Sequence, residues 1–148
     1  MTGWRLGWAV VPERLIRPIE RLAQNLFISP PTLSQIAAER AFDETTCLDE
    51  NVAVYAENRR LLLRELPKAG ITSFAPADGA FYLYADVAHL TEDSAAFCAA
   101  MLEDAGVAAT PGADFDPTHG YQYVRFSFAG KTVDMAEAAR RLQEWLGA

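Results

Sequence analysis

Two arginines stand in settings where their chemistry would matter. Arg5 ends the segment Met1-Thr2-Gly3-Trp4-Arg5, and Arg125 lies inside the run YVRFSFAG at residues 123–130. Strand alternation across that run puts Tyr121, Tyr123, Arg125 and Ser127 on one face and Val124, Phe126 and Phe128 on the other, so Arg125 projects away from an apolar layer. A cation so placed needs an anion. A carboxylate gripped by two parallel N–H bonds is fixed in both position and roll, and each hydrogen bond to a charged group contributes about 1.5–3 kcal/mol. The anion is either the carboxylate of a ligand or an acidic side chain of the protein itself. Arg5 is either an anion grip or a surface arginine beside a packed tryptophan.

Other candidates carry less. His89 follows a strand and His119 sits in a turn, each without a second ligand or a nucleophile at useful spacing, and both read as surface or capping residues. Ser29, Ser73, Ser94 and Ser127 occupy no GxSxG or SxxK context, and the carboxylate pairs Asp43/Glu44 and Glu103/Asp104 read as solvated helix ends and turns. No phosphate-binding Gly-rich loop, dinucleotide fingerprint, HExxH or EF-hand pattern occurs. Cys47 and Cys98 have no CxxC or Cys/His spacing, so neither a disulfide framework nor a metal site is expected. They read as buried thiols in a reducing cytoplasm.

The elements that must hold these residues follow from periodicity. Residues 4–11, WRLGWAVV, are aromatic and β-branched with little polar alternation, which predicts a short strand buried on both faces. Leu15, Ile19, Leu22 and Leu26 recur at helical spacing, with Pro18 expected to kink or restart that helix. Ser29 is expected to cap a second helix ending near Phe42. A longer helix should open at Thr46 and carry Leu48, Val52, Tyr55, Leu62 and Leu66 on one stripe until Pro67. Strands are expected at 71–74, 80–87, 107–110 and 121–129, with a helix capped by Thr91 and closed by Gly106 between the second and third. A last helix spans about 133–146. From residue 46 onward the order is helix, strand, strand, helix, strand, strand, helix. That is an α+β layout, a mainly antiparallel sheet with helices on one face.

The composition sets outer bounds. The 148 residues carry 13 basic and 20 acidic side chains, a net charge of −7, and 51% are hydrophobic. A chain of this size hides roughly 70% of its unfolded surface, enough for a core without disulfides or metal. The acidic balance and the lack of a basic run interleaved with aromatics disfavour nucleic acid and anionic membrane partners. No apolar run reaches the 18 or so residues of a membrane span.

Four stretches, in order, carry a resemblance to a family. Gly3-Trp4-Arg5, Gly79-Ala80-Phe81-Tyr82, PGADFD at 111–116 and YVRFSFAG at 123–130 resemble motifs of the class I and II, fold-type-I aminotransferases that depend on pyridoxal phosphate. In that family a Ser-Lys pair precedes Gly-x-Arg by five residues, and the arginine binds the cofactor phosphate; Arg5 takes that role by resemblance. The arginine of the carboxyl-terminal strand receives the substrate α-carboxylate, which assigns Arg125. The G-x-F-Y and P-G-x-x-F-G stretches fit without carrying chemistry themselves, with Asp116 standing where glycine is commoner.

The resemblance implies that residues 1–45 are a strip of the large cofactor-binding domain and 46–148 the small carboxyl-terminal domain of an enzyme moving an amino group between an α-amino acid and a 2-oxo acid. The Schiff-base lysine would lie four residues before Met1, since Lys68 and Lys131, the only lysines, match no such motif. The chain alone is therefore expected to be inactive, to hold no catalytic residue and not to retain pyridoxal phosphate. It is also expected to form a homodimer or otherwise self-associate. The alternative is a non-catalytic, aminotransferase-like binding or regulatory domain.

Overall fold

The structure, a computed structural model, describes residues 1–147. The backbone divides into two compact units, Met1–Asp49 and the stretch from Glu50 onward. In the first, helices α1 (Glu13–Leu26) and α2 (Thr32–Ala41) follow a single 3-10 turn at Thr2–Trp4. Helix α1 runs through Pro18. Helix α2 begins at Thr32 with Pro31 ahead of it and no side-chain cap, so Ser29 does not serve as one.

The strand expected over residues 4–11 does not form; residues 6–12 carry no regular structure and are mostly exposed. A run of β-formers becomes a strand only when a neighbour takes its N–H and C=O groups. No strand occurs in this unit to supply one. What does organise the segment is Ser34 of α2, whose buried hydroxyl donates to the Trp4 carbonyl at 2.8 Å. Trp8 meets the edge of Phe42 at 6.3 Å.

Helix α3 (Thr45–Glu65) crosses the division at Asp49. Thr46 lies inside its first turn and is not its cap. Cys47 is exposed there, against expectation, while Cys98 is buried as expected. The second unit continues with β1 (Ser73–Phe74), β2 (Tyr82–Asp86), α4 (Ser94–Ala105), β3 (Thr110–Pro111), β4 (Tyr123–Ser127) and α5 (Thr132–Trp145). The four strands form one antiparallel sheet in the order β1-β2-β4-β3. This is the α+β architecture read from the periodicity.

Burial alternates along both central strands. Leu83, Ala85, Val87, Val124, Phe126 and Phe128 face a core completed by Leu61, Leu62 and Leu66 from α3 and the turn after it, Cys98 and Met101 from α4, and Ala139 and Leu142 from α5. Each fully buried leucine or methionine here contributes roughly 1.5–3 kcal/mol. Every residue of this core belongs to the second unit.

Caps fix the ends of α4. Asp93, not Thr91, is its N-cap, and one carboxylate oxygen accepts from the backbone N–H of Ala95 and Ala96. Gly106 closes the helix at φ 64°, a conformation glycine adopts without a side-chain clash. Asn58, wholly buried in α3, donates from Nδ2 to the carbonyls of Phe128 and Gly130 at 2.9 and 2.8 Å, and so pins the chain leaving β4.

Candidate anion-binding site

The core-facing residues of β2 and β4 leave the other sheet face to Tyr82, Tyr84, Tyr123, Arg125 and Ser127. Arg125 is paired in register with Tyr84 of β2 and with Thr110 of β3, so it sits in the middle of that face. Its guanidinium carbon lies 4.2 Å from the centre of the Tyr82 ring and 4.3 Å from that of Phe115. Its Nη2 donates to the Thr110 hydroxyl at 3.3 Å. Among the described residues no acidic side chain lies within ion-pair distance of Arg125.

Tyr84 and Tyr123 stack beside it at 4.8 Å and 5°. Burial, with the nearby Asp116 carboxylate, pushes the Tyr84 hydroxyl above its ordinary pKa, so Tyr84 is a neutral hydroxyl at pH 7. The loop over this face is closed by two glycines. A Cβ at Gly112 would fall 2.5 Å from the Gly120 carbonyl oxygen and 2.6 Å from the Tyr84 hydroxyl, and one at Gly120 would fall 2.2 Å from the Gly112 oxygen. That backbone-to-backbone approach carries Phe115 to Arg125.

Asp116 fits the turn without a left-handed backbone, which among non-glycine residues occurs at Arg5, Ile28 and Ala80. Its Oδ1 accepts from the backbone N–H of Thr118 at 2.8 Å and His119 at 3.1 Å, and these bonds lower its pKa. These two bonds fix the turn in a backbone conformation that does not require a glycine at this position. His119 lies 3.6 Å from Asp116, and His89 shares a 2.8 Å hydrogen bond with the Gly70 carbonyl, both in local roles as read from the sequence. A Cβ at Gly79 would meet nothing within 4 Å, so within this chain no close approach requires a glycine there.

Arg5 belongs to the first unit and Arg125 to the second. Arg5 is exposed, adopts φ 54° and ψ 42°, and donates from Nη1 to the Thr2 carbonyl at 3.4 Å. It borders an open hollow of about 550 Å³ together with Met1, Thr2, Leu6 and Gly7. Among the described residues it too has no acidic partner, so its guanidinium is the one charged side-chain donor group along the hollow that a phosphate could take.

The rings of Tyr82 and Phe115 and the hydroxyl of Thr110 escaped the sequence reading. The first two lie in the G-x-F-Y and P-G-x-x-F stretches that were expected to bear no chemistry themselves. The available signal was an aromatic at a fixed place in each stretch. Ser34 had no signal beyond its position in a helix.

The second unit is thus an antiparallel α+β sheet with a ring-flanked arginine on its polar face. The chain belongs to the class I and II aminotransferase family, whose model matches residues 1–142. It is 54% identical over 148 residues to a valine-pyruvate aminotransferase of Mycobacterium tuberculosis, covering 99% of this chain and 38% of that protein. It is 36% identical to a (5-formylfuran-3-yl)methyl phosphate transaminase of Methanocaldococcus jannaschii, covering 99% of this chain and 39% of that protein. The crystal structure of an aminotransferase from Mycobacterium tuberculosis superposes with a TM-score of 0.93 at 54% identity, over 99% of this chain and 38% of that one. The chain thus spans about two-fifths of the length of these relatives. Among the described residues no helix is long and apolar enough to cross a membrane.

Proposed function

We propose that this chain is the carboxyl-terminal portion of a pyridoxal-phosphate-dependent aminotransferase that moves an amino group between an α-amino acid and a 2-oxo acid. In this reading Arg125 receives the substrate α-carboxylate and Arg5 the cofactor phosphate. Residues 1–45 are a strip of the cofactor-binding domain and 46–148 the small domain. The observation that carries the reading is the half-buried Arg125, flanked by two rings and without an acidic partner among the described residues.

When bound, pyridoxal phosphate supplies the electron sink for chemistry at the amino acid Cα. The residues here orient the acid and hold anions. Arg125 presents parallel N–H donors to a planar carboxylate, and the sheet beneath it sets their direction. Arg5 neutralises phosphate charge at the edge of its hollow. Neither lysine is placed for the cofactor: Lys68 pairs with Glu65 at 2.7 Å on the surface, and Lys131 precedes α5. The Schiff-base lysine then belongs to the part of the relatives that this chain does not span, and the isolated chain is expected to be inactive. One exposed arginine is too little to retain the cofactor.

The test has two arms. In the aminotransferase containing this segment, Arg125→Ala should weaken many amino and oxo acids alike, by roughly ten- to a hundred-fold per lost charged hydrogen bond; unchanged apparent affinity removes Arg125 from the carboxylate role. For the isolated chain, mixing with pyridoxal phosphate and desalting should leave no visible absorbance that responds to amino acids. A band that survives and responds overturns the expectation of inactivity.

A further inference from the structure

We infer that Tyr82 and Phe115 are positioning residues that hold the Arg125 guanidinium in one plane, so that only its edge is offered to an incoming carboxylate. The inference rests on the reading of Arg125 as the carboxylate receptor.

An arginine side chain has four rotatable bonds and loses much rotamer freedom when a ligand immobilises it. Here that freedom is already restricted. Tyr82 and Phe115 each place a ring centre within 4.3 Å of Cζ, close enough for a cation–π contact. Thr110 takes one N–H of Nη2 from a strand position in register with Arg125. Two aromatic contacts and one hydroxyl leave the remaining edge donors as the free part of the group. A carboxylate is planar and pairs with such an edge by two parallel bonds, so presetting the plane removes an ordering cost from binding.

The residues come from three separate segments. Tyr82 is fixed in β2 by pairing with Ser127 of β4, and Phe115 arrives on the loop closed by Gly112 and Gly120. Phe115 is 52% exposed, so the core does not depend on it and its ring has no other large partner among the described aromatic pairs. Phe115 is held over the cation by its loop and lies outside the buried core, so replacing it removes the ring with little loss of core packing.

Nuclear magnetic resonance on the full 148-residue chain tests this, with pyruvate as the carboxylate probe. The Arg125 Nε–H proton should resonate upfield of the other arginines, shielded by both rings, and should move as pyruvate is added. Phe115→Leu and Tyr82→Leu should each return it toward the arginine average and weaken pyruvate by about three-fold. Tyr82→Phe keeps a ring and should change neither; it also keeps the test decisive if Tyr82→Leu fails to fold. An unshifted Arg125 resonance in the unmodified chain, or one indifferent to Phe115→Leu, overturns the clamp. Loss of the shift with undiminished pyruvate binding overturns its positioning role. A shifted resonance that pyruvate never moves overturns the carboxylate reading of Arg125 and leaves the clamp standing.

Discussion

Glu65 shows how far a single carboxylate can be bent by its neighbours. It accepts from Lys68 Nζ at 2.7 Å and Arg64 Nε at 2.8 Å, with Gln143 of α5 reaching its carboxylate at 3.4 Å. Lys68 first and Arg64 second lower its pKa from 4.5 to about 2. Glu137 is likewise held at about 2 by Arg140 and Arg141. Because the folded pKa lies below the unfolded one, each group contributes stability above pH 4.5 that is lost as the pH falls toward 2. Chemical denaturation of Glu65→Gln should therefore show a lower midpoint at pH 7 and a smaller drop between pH 5 and about pH 3 than the parent. A drop of equal size would remove Glu65 from the acid response. Cys98 is bent the other way, to about 11, by burial and by Asp114, which leaves it a protonated, poorly nucleophilic thiol at neutral pH.

Among the elements, the loop between β3 and β4 is the least tolerant. Gly112→Ala would drive a methyl into the Gly120 carbonyl and the Tyr84 hydroxyl, and neither backbone can retreat without shifting β4. Its expected cost is about 1–3 kcal/mol by urea denaturation, with Gly120→Ala alike. Gly79→Ala, where nothing stands within 4 Å, should leave stability within about 0.5 kcal/mol. The sheet was legible because Leu83, Ala85, Val124, Phe126 and Phe128 alternate with polar or aromatic neighbours, and alternation is a local property. The ring pair around Arg125 was not, since Phe115 reaches it only through a contact between two glycines eight residues apart. The 4–11 segment misled for a related reason: β propensity is written locally, while the pairing that realises it is not. Thr91 lost the capping role to Asp93 because its hydroxyl is taken up by Asp93's own backbone, accepting from the N–H at 3.0 Å and donating to the carbonyl at 3.1 Å.

At the scale of the whole molecule, the buried apolar core lies in the second unit, while the first exposes much of its apolar side-chain surface. Trp8, Val10, Leu22, Leu26, Ile28 and Leu33 are each more than 60% exposed. Such a surface favours association in water. Sedimentation velocity should show the weight-average species growing with concentration, and truncation to residues 50–148 should reduce that growth; a monomer at all concentrations would argue against it. The architecture also sets an order of events. The central pairing joins Tyr82 to Ser127, so β2 and β4 meet only after the 36 residues between them, 87–122, have been gathered in. Helices form within about a microsecond, whereas closing a long loop onto a sheet is slow. Tyr82, Thr110, Phe115 and Arg125 are brought together by that closure. During refolding, helical circular dichroism should therefore recover first and the shielded Arg125 resonance last, which makes the arginine a clock for the final step of assembly.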